Sequence, residues 1–172
     1  MRGERMTDLR RVFFIAAMVL VFYIGTFVFA EYAAAGEIAR DGRFIAHDDG
    51  TVLDTQTNLM WAAKDNERNI NWADAKSYCE NYRGGGYTDW RMPTQDELMG
   101  LYDASKSRPG ACNRSYNIHI ATELIDITCF WLWNATTRDS AAAVFNFRYG
   151  ERSWNPQSYV ISSRVLPVRS AK

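Results

Sequence analysis

The spacing of hydrophobic residues along this chain predicts a leader and, further on, two helices. Residues 12–30 form an uninterrupted stretch without charge, which predicts one N-terminal hydrophobic helix. After Asn71, a good helix N-cap, apolar residues return every three or four positions, as one face of a helix requires. A second helix is predicted from about Gln95 to Tyr102. The face of the first helix that we expect to be buried consists of Trp72, Ala75, Cys79 and Tyr82.

Shorter apolar runs that are bounded by turn residues predict strands on both sides of the two helices. Phe44–His47 and Thr51–Leu53 flank Asp48-Asp49-Gly50, a turn signal that is typical of a hairpin. Residues 105–127 show no regular pattern and are predicted to be irregular. Further strands are predicted at Leu59–Ala62, Phe130–Trp133, Ala142–Phe147, Val160–Ile161 and Val165–Val168.

The segment from Gly84 to Leu98 combines a turn, an aromatic anchor and a helix start. Its three consecutive glycines permit backbone angles that end a helix or form a tight turn. Thr94 and Glu97 have the Thr-x-x-Glu spacing of a capping box. We therefore expect a structural corner rather than a binding site. The residues that we predict to determine the fold are Trp61, Trp72, Asp89, Trp90, Arg91, Thr94 and Glu97.

The N-terminal residues have the pattern of an export leader. Residues 1–11 are net positive and the uncharged run follows them, an arrangement that keeps the start in the cytoplasm and exports what comes after. Val28 and Ala30 fit a signal-peptidase site, whereas the length of the run favours a retained inner-membrane anchor, and both interpretations remain open. The predicted division is residues 1–30 as signal peptide or anchor, 31–42 as linker and 43–170 as one domain.

Composition narrows the possible functions of the exported part. The formal net charge is zero, which argues against a nucleic-acid partner. The chain has only two histidines, so a multi-histidine metal site is not predicted, and no cofactor is expected. The acidic pair Asp48 and Asp49 fits a turn better than a calcium loop. The six Trp, nine Tyr and nine Phe favour a β-rich core or a sugar-binding surface.

The three cysteines show no metal-binding or thioredoxin-like spacing. In an oxidising compartment Cys112 and Cys129 are the best-placed pair for a disulfide, which would close a loop of about 18 residues and contribute about 3 kcal/mol. Cys79 lies on the inner face of the predicted first helix and is the candidate for an unpaired, buried thiol.

The residues from Arg148 to Gln157 are the best candidates for ligand recognition. They combine flat rings with charged and amide side chains, a mixture that suits the binding of sugar hydroxyls or peptides. A salt-bridged hairpin with Trp154 in the core explains the same pattern without any ligand. The candidate set, with one residue from the preceding strand, is Trp133, Arg148, Glu151, Arg152, Trp154, Asn155 and Gln157.

The order of motifs resembles the Lcl C-terminal domain family of bacterial collagen-like adhesins across nearly all of residues 44–169. The resemblance rests mainly on residues 85–94, which read Gly-Gly-Tyr-Thr-Asp-Trp-Arg-Met-Pro-Thr. Weaker matches are Asn58-Leu59-Met60-Trp61, Trp72-Ala73-Asp74-Ala75, Phe145-Asn146-Phe147-Arg148-Tyr149-Gly150 and Val165-Leu166-Pro167-Val168-Arg169.

The resemblance implies a C-type-lectin-like α+β fold that is related to formylglycine-generating domains, with two helices packed on antiparallel strands. It also implies an exported bacterial protein, and some members of the family bind sulfated polysaccharides. Pro167 stands where the family commonly has a cysteine, so Cys79 lacks its expected partner and is implied to be free.

Three functions are compatible with these observations. The first is a non-catalytic recognition or adhesion domain in the periplasm or at the cell surface, with a glycan or a protein as its partner. The second is a structural or assembly subunit that residues 12–30 anchor in the inner membrane. The third is a formylglycine-generating type of enzyme, which requires a reactive, copper-binding cysteine pair. Only Cys112 and Cys129 could supply that pair, and no thiol-activating group is evident beside them except Arg114.

Overall fold

The computed structural model describes residues 35–171. The fold described below belongs to the compact unit Ala35–Lys172. The predicted N-terminal hydrophobic helix and the leader of residues 1–30 lie outside the described residues. None of the helices within residues 35–171 is long and apolar enough to cross a membrane.

The larger sheet is built mainly from the N-terminal strands. Its order is β1-β2-β3-β4-β11, and each neighbouring pair is antiparallel. The hairpin predicted around Gly50 is present as β2 and β3, and β4 has its predicted bounds. The last strand, β11, forms one edge of the sheet and pairs with β4, with Val168 opposite Trp61. The strands are β1 (Glu37–Asp41), β2 (Phe44–His47), β3 (Thr51–Asp54), β4 (Leu59–Ala62) and β11 (Val168–Ser170).

The second sheet has the order β10-β7-β8-β9, and only β10 and β7 pair in parallel. A separate two-stranded antiparallel ribbon, β5 with β6, lies in the segment that was predicted to be irregular. The strands are β5 (Arg108–Pro109), β6 (Asn117–Ile118), β7 (Trp131–Arg138), β8 (Ala141–Asn146), β9 (Glu151–Pro156) and β10 (Ser163–Arg164).

Both predicted helices are present and both begin at the predicted caps. Helix α1 (Trp72–Asn81) starts after Asn71, whose side chain accepts a hydrogen bond from the N–H of Asp74. Helix α2 (Gln95–Gly100) starts after Thr94 with a complete capping box and ends two residues earlier than predicted. Between them, Gly85 adopts φ 62° in a 3-10 turn, where an added Cβ would lie 2.8 Å from an Asp49 carboxylate oxygen.

Two hydrophobic clusters cover the two faces of the second sheet. The larger cluster joins Leu132 and Phe145 to α2 and to the first sheet, whose Trp61 is fully buried. The smaller cluster packs the opposite face, with Trp133 and Val144, against α1. Leu132 pairs with Phe145, and Trp133 pairs with Val144. Alternate residues along β7 and β8 therefore point into the two clusters.

The segment from Gly84 to Leu98 forms the predicted structural corner. The Trp90 ring is buried against the edge of Tyr82, and its Nε1 donates to the Gly84 carbonyl at 3.1 Å. The residues that flank Trp90 have other partners: Asp89 forms an ion pair with the buried Arg169, and Arg91 forms one with Glu97. Backbone hydrogen bonds between Arg91 and Val168 attach the corner to β11.

The Glu97 carboxylate joins Arg91 to the start of α2 in this corner. Its carboxylate accepts two hydrogen bonds from Arg91, at 2.6 and 2.8 Å, and a third from the Thr94 N–H at 2.7 Å. Burial raises the pKa of Glu97, but the hydrogen bonds from Arg91 and Thr94 outweigh that effect and leave the pKa below its usual value.

We expect Glu97→Gln to lower the free energy of unfolding by about 1–2 kcal/mol at neutral pH, because the variant loses the charged acceptor of the capping box. A carboxyl group with a lowered folded-state pKa contributes its stability above the unfolded-state pKa and loses it as the pH falls through the folded-state pKa. Denaturant unfolding at successively lower pH should therefore bring the two proteins together. A Glu80→Gln control, which alters an exposed helix pair, should change little, and a gap that persists in acid would contradict the assignment.

The α+β class that the resemblance implied is wrong for the described residues. They form a mainly β domain in which α1 and α2 are the only α-helices, and both are short. The strands that were not predicted are β1, β5, β6, β9 and β10. Strand β1 occupies the second half of the segment that was predicted as a linker, and its pairing with β2 makes it part of the sheet. The predicted strand at Val160–Ile161 is an exposed loop instead.

Candidate functional site

The predicted recognition residues do not form one surface. Trp133 is fully buried in the smaller cluster, where its Nε1 donates to the Ile70 carbonyl at 2.9 Å. Its place is fixed by β7, which lies inside the second sheet between β10 and β8. Trp133 therefore stabilises the core and has no surface to offer a ligand.

Three of the predicted residues lie at the end of β9 that meets the β7–β8 turn. The Arg138 guanidinium covers the half-buried Trp154 ring at 4.7 Å from its centroid. Gln157 donates to the Asp139 carbonyl at 3.1 Å, and the Nδ2 of Asn155 is buried without a hydrogen-bond partner among residues 35–171. These contacts hold the hairpin together, and Arg138 covers one face of the Trp154 ring.

Arg148 lies at the opposite end of the hairpin, in the turn between β8 and β9. The Asn146 side chain shapes that turn by accepting a hydrogen bond from the Arg148 N–H at 2.9 Å. The guanidinium lies over two tyrosine rings, 4.2 Å from the Tyr116 centroid and 4.7 Å from that of Tyr149. Tyr149 is 54% exposed, so its ring is accessible to a ligand.

Gly150 completes the turn next to these rings. Its φ is 73°, and an added Cβ would lie 2.7 Å from Cε1 of Tyr102, so only glycine allows this approach. The Tyr102 ring in turn lies 5.9 Å from the His119 ring. We define the Arg148 surface as the solvent-reaching residues Tyr102, Tyr116, Arg148 and Tyr149. Glu151 and Arg152 follow at the exposed start of β9, where consecutive side chains point to opposite faces of the sheet.

The charged group of this surface is the Arg148 guanidinium, which is held in place without being paired. Its guanidinium forms no hydrogen bond and no ion pair with any residue of the described chain, although it is only partly exposed. Stacking on two rings holds the group in place while its N–H donors remain available. A planar, oriented donor beside an exposed ring can bind a carboxylate, a sulfate or a row of hydroxyls.

Arg148 is the one sequence-predicted recognition residue of this surface, and its three tyrosines were not predicted. Tyr149 had a usable signal, because it directly follows Arg148 in the predicted turn. Tyr102 and Tyr116 had none, because the fold brings them to Gly150 and Arg148 from distant parts of the chain.

A cleft of about 460 Å³ lies next to the β5–β6 ribbon and was not predicted. It combines an aliphatic floor with a charged rim, and its main lining residues are Asp41, Lys106, Arg108, Ile118, Ile120, Glu123 and Leu124.

The cysteines take the states that the sequence favoured. Cys112 and Cys129 form a disulfide, which confirms the predicted pairing. Cys79 is free and fully buried in the smaller cluster, and burial raises the pKa of its thiol.

The turn residues Asp48 and Asp49 accept hydrogen bonds from the N–H groups of Gly36 and Thr51. Among residues 35–171 no group of three acidic, histidine or cysteine side chains is arranged to hold a metal ion.

Comparison with known proteins supports the resemblance in the motifs. No curated protein matches the chain significantly. The model of the family described as the Lcl C-terminal domain matches residues 50–169, which cover β3 to the middle of β11 and include the corner, the disulfide and the Arg148 surface. The chain therefore belongs to the Lcl C-terminal domain family.

Proposed function

We propose that this protein is an exported, non-catalytic recognition domain that binds an anionic glycan through the Arg148 surface. The observation that carries the proposal is the Arg148 guanidinium, which is stacked on Tyr116 and Tyr149 and has no hydrogen-bond partner within the described chain. The compartment that we propose is the periplasm or the cell surface, in agreement with the pattern of the leader.

The chemistry of the surface suits a sugar with a negative substituent. The apolar C–H face of a pyranose ring packs on an exposed tyrosine such as Tyr149. The adjacent guanidinium can then donate paired hydrogen bonds to a carboxylate or sulfate on the same sugar. Arg152 is exposed and pairs with Phe145, against which Tyr102 packs, so it lies on the same face and can bind hydroxyls of a second sugar unit. Glu151 is exposed on the other face.

The test compares two arginine variants that both remove a stacked guanidinium. Full-length protein in mild detergent is applied to an array of neutral, carboxylated and sulfated glycans, and the affinity of the best glycan is then measured in solution. We expect Arg148→Gln to weaken binding by about ten- to a hundred-fold, the usual loss for a hydrogen bond to a charged group. The matched control is Arg138→Gln, which removes the guanidinium over Trp154 and should leave affinity unchanged.

Several outcomes would count against glycan recognition at Arg148. An array without any bound glycan, combined with a tight protein partner, would indicate a protein-binding role. Equal losses in the two arginine variants would indicate attraction by net charge rather than by an oriented group.

Affinity for an anionic glycan should also fall with added salt, because part of the attraction is screened.

A further inference from the structure

The cleft beside the β5–β6 ribbon has the composition of a small-molecule site. Its volume of about 460 Å³ is within the usual range for ligand pockets. The floor is aliphatic: Leu124 is partly exposed and packs against the larger cluster, while Ile118 and Ile120 line the same cleft but are only 0% and 3% exposed. A ligand that fills this floor must therefore carry an apolar group of its own.

The two cations of the rim differ in how fully they are paired. Lys106 is bound by Asp41 at 3.2 Å and by the Ala121 carbonyl at 2.6 Å. Arg108 uses one terminal nitrogen for both Asp126 and the Ile127 carbonyl, each at 3.0 Å. The Arg108 Nε is buried without a hydrogen-bond partner in the described chain, which leaves a costly donor unsatisfied.

A free carboxylate lies on the same rim. Glu123 is exposed and makes no hydrogen bond or ion pair with the residues that the structure describes. The cleft thus offers one incompletely paired guanidinium, one unpaired carboxylate and an aliphatic floor. Aromatic stacking faces are missing from the residues that line it, in contrast to the Arg148 surface.

We propose that this cleft is a second binding site and that its ligand is a short aliphatic peptide in its zwitterionic form. The peptide carboxylate binds Arg108, its ammonium group binds Glu123, and an aliphatic side chain packs on Leu124, the partly exposed residue of the aliphatic floor. Each part of the ligand thereby finds a partner of opposite charge or like polarity. The proposal does not depend on glycan binding at Arg148.

Calorimetric titration of the full-length protein in mild detergent with Leu-Leu tests the site. N-acetyl-Leu-Leu removes the ammonium group, Leu-Leu amide removes the carboxylate, and Gly-Gly removes both aliphatic side chains. We expect each of the three changes to weaken binding, the two charge-blocked forms by about ten- to a hundred-fold. No measurable binding of Leu-Leu, or equal binding of the blocked forms, would overturn the proposal.

One substitution then assigns the ammonium group to its partner. Glu123→Gln changes an exposed side chain that makes no hydrogen bond or ion pair in the described chain, so the fold should be retained, and the melting temperature checks this. The variant should bind Leu-Leu and N-acetyl-Leu-Leu equally while still preferring the free carboxylate over the amide. A Glu80→Gln control on helix α1 should keep both preferences. If Glu123→Gln also keeps both, the proposed role of Glu123 is wrong.

Discussion

Trp90→Ala is expected to lower the free energy of unfolding by about 3–5 kcal/mol, which is a large share of the stability of a small domain. The ring is 3% exposed and packs edge-on against Tyr82 with the two centroids 5.0 Å apart. Truncation leaves a cavity at the corner and also removes the hydrogen bond from Nε1 to the Gly84 carbonyl. The effect should be structural because the corner connects α1, α2 and β11.

Denaturant unfolding of the wild type and the variant, followed by circular dichroism, measures this loss. Trp154→Ala is the matched control, because that ring is only half-buried and lies on the edge strand β9. It should destabilise the protein clearly less than Trp90→Ala. A Trp90→Ala protein that stayed as stable as the wild type but failed to bind glycan would show that the corner is a binding site and not a scaffold.

Local signals predicted the corner well because they act over a few residues. Asn71 and Thr94 satisfy the first N–H groups of α1 and α2 with their own side chains, so the residue types alone located both helix starts. Local signals could not predict the partners that residues of the corner find in distant parts of the chain. Asp89 was predicted to help determine the fold, but its partner Arg169 lies 80 positions away in the sequence and could not be identified from the neighbouring residues.

The mainly β class was missed because several strands lack an apolar pattern. Strands β1 and β9 are edge strands with polar and charged residues on both sides, so they resemble a linker and a turn in the sequence. Strands β5, β6 and β10 have two residues each, which is too short for any period to show. Pairing with a neighbouring strand, and not propensity, gives these segments their structure.

The candidate site was only partly predictable for a related reason. Trp133 looked like a recognition residue because a run of apolar residues does not reveal which sheet faces are covered, and both faces of the second sheet are. Arg148 was identified from residue type, whereas its contact with Tyr116 depends on the loop that the Cys112–Cys129 disulfide closes. The disulfide therefore connects stability to both proposed sites, since Ile118 of the cleft lies in the same loop.

Loss of this disulfide is the second large effect that we expect. Cys112→Ala with Cys129→Ala should lower the free energy of unfolding by about 3 kcal/mol, because the cross-link spans 17 positions and restricts the unfolded chain. The buried Cys129 adds a small packing loss of its own. Tyr116 and Ile118 would be less firmly held, so glycan affinity at Arg148 and peptide affinity at the cleft should fall together.

Reductant separates the cross-link from the packing of the cysteine side chains. Addition of dithiothreitol to the wild type should reproduce most of the destabilisation, while the double variant should not respond to it. Cys79→Ala is the control, because this thiol is free and fully buried in the smaller cluster and does not contribute to the cross-link. That variant should lose some stability from its cavity yet keep the full response to reductant. If the response disappeared in Cys79→Ala, the disulfide would involve Cys79, and the loop between Cys112 and Cys129 would not be what holds Tyr116 against Arg148.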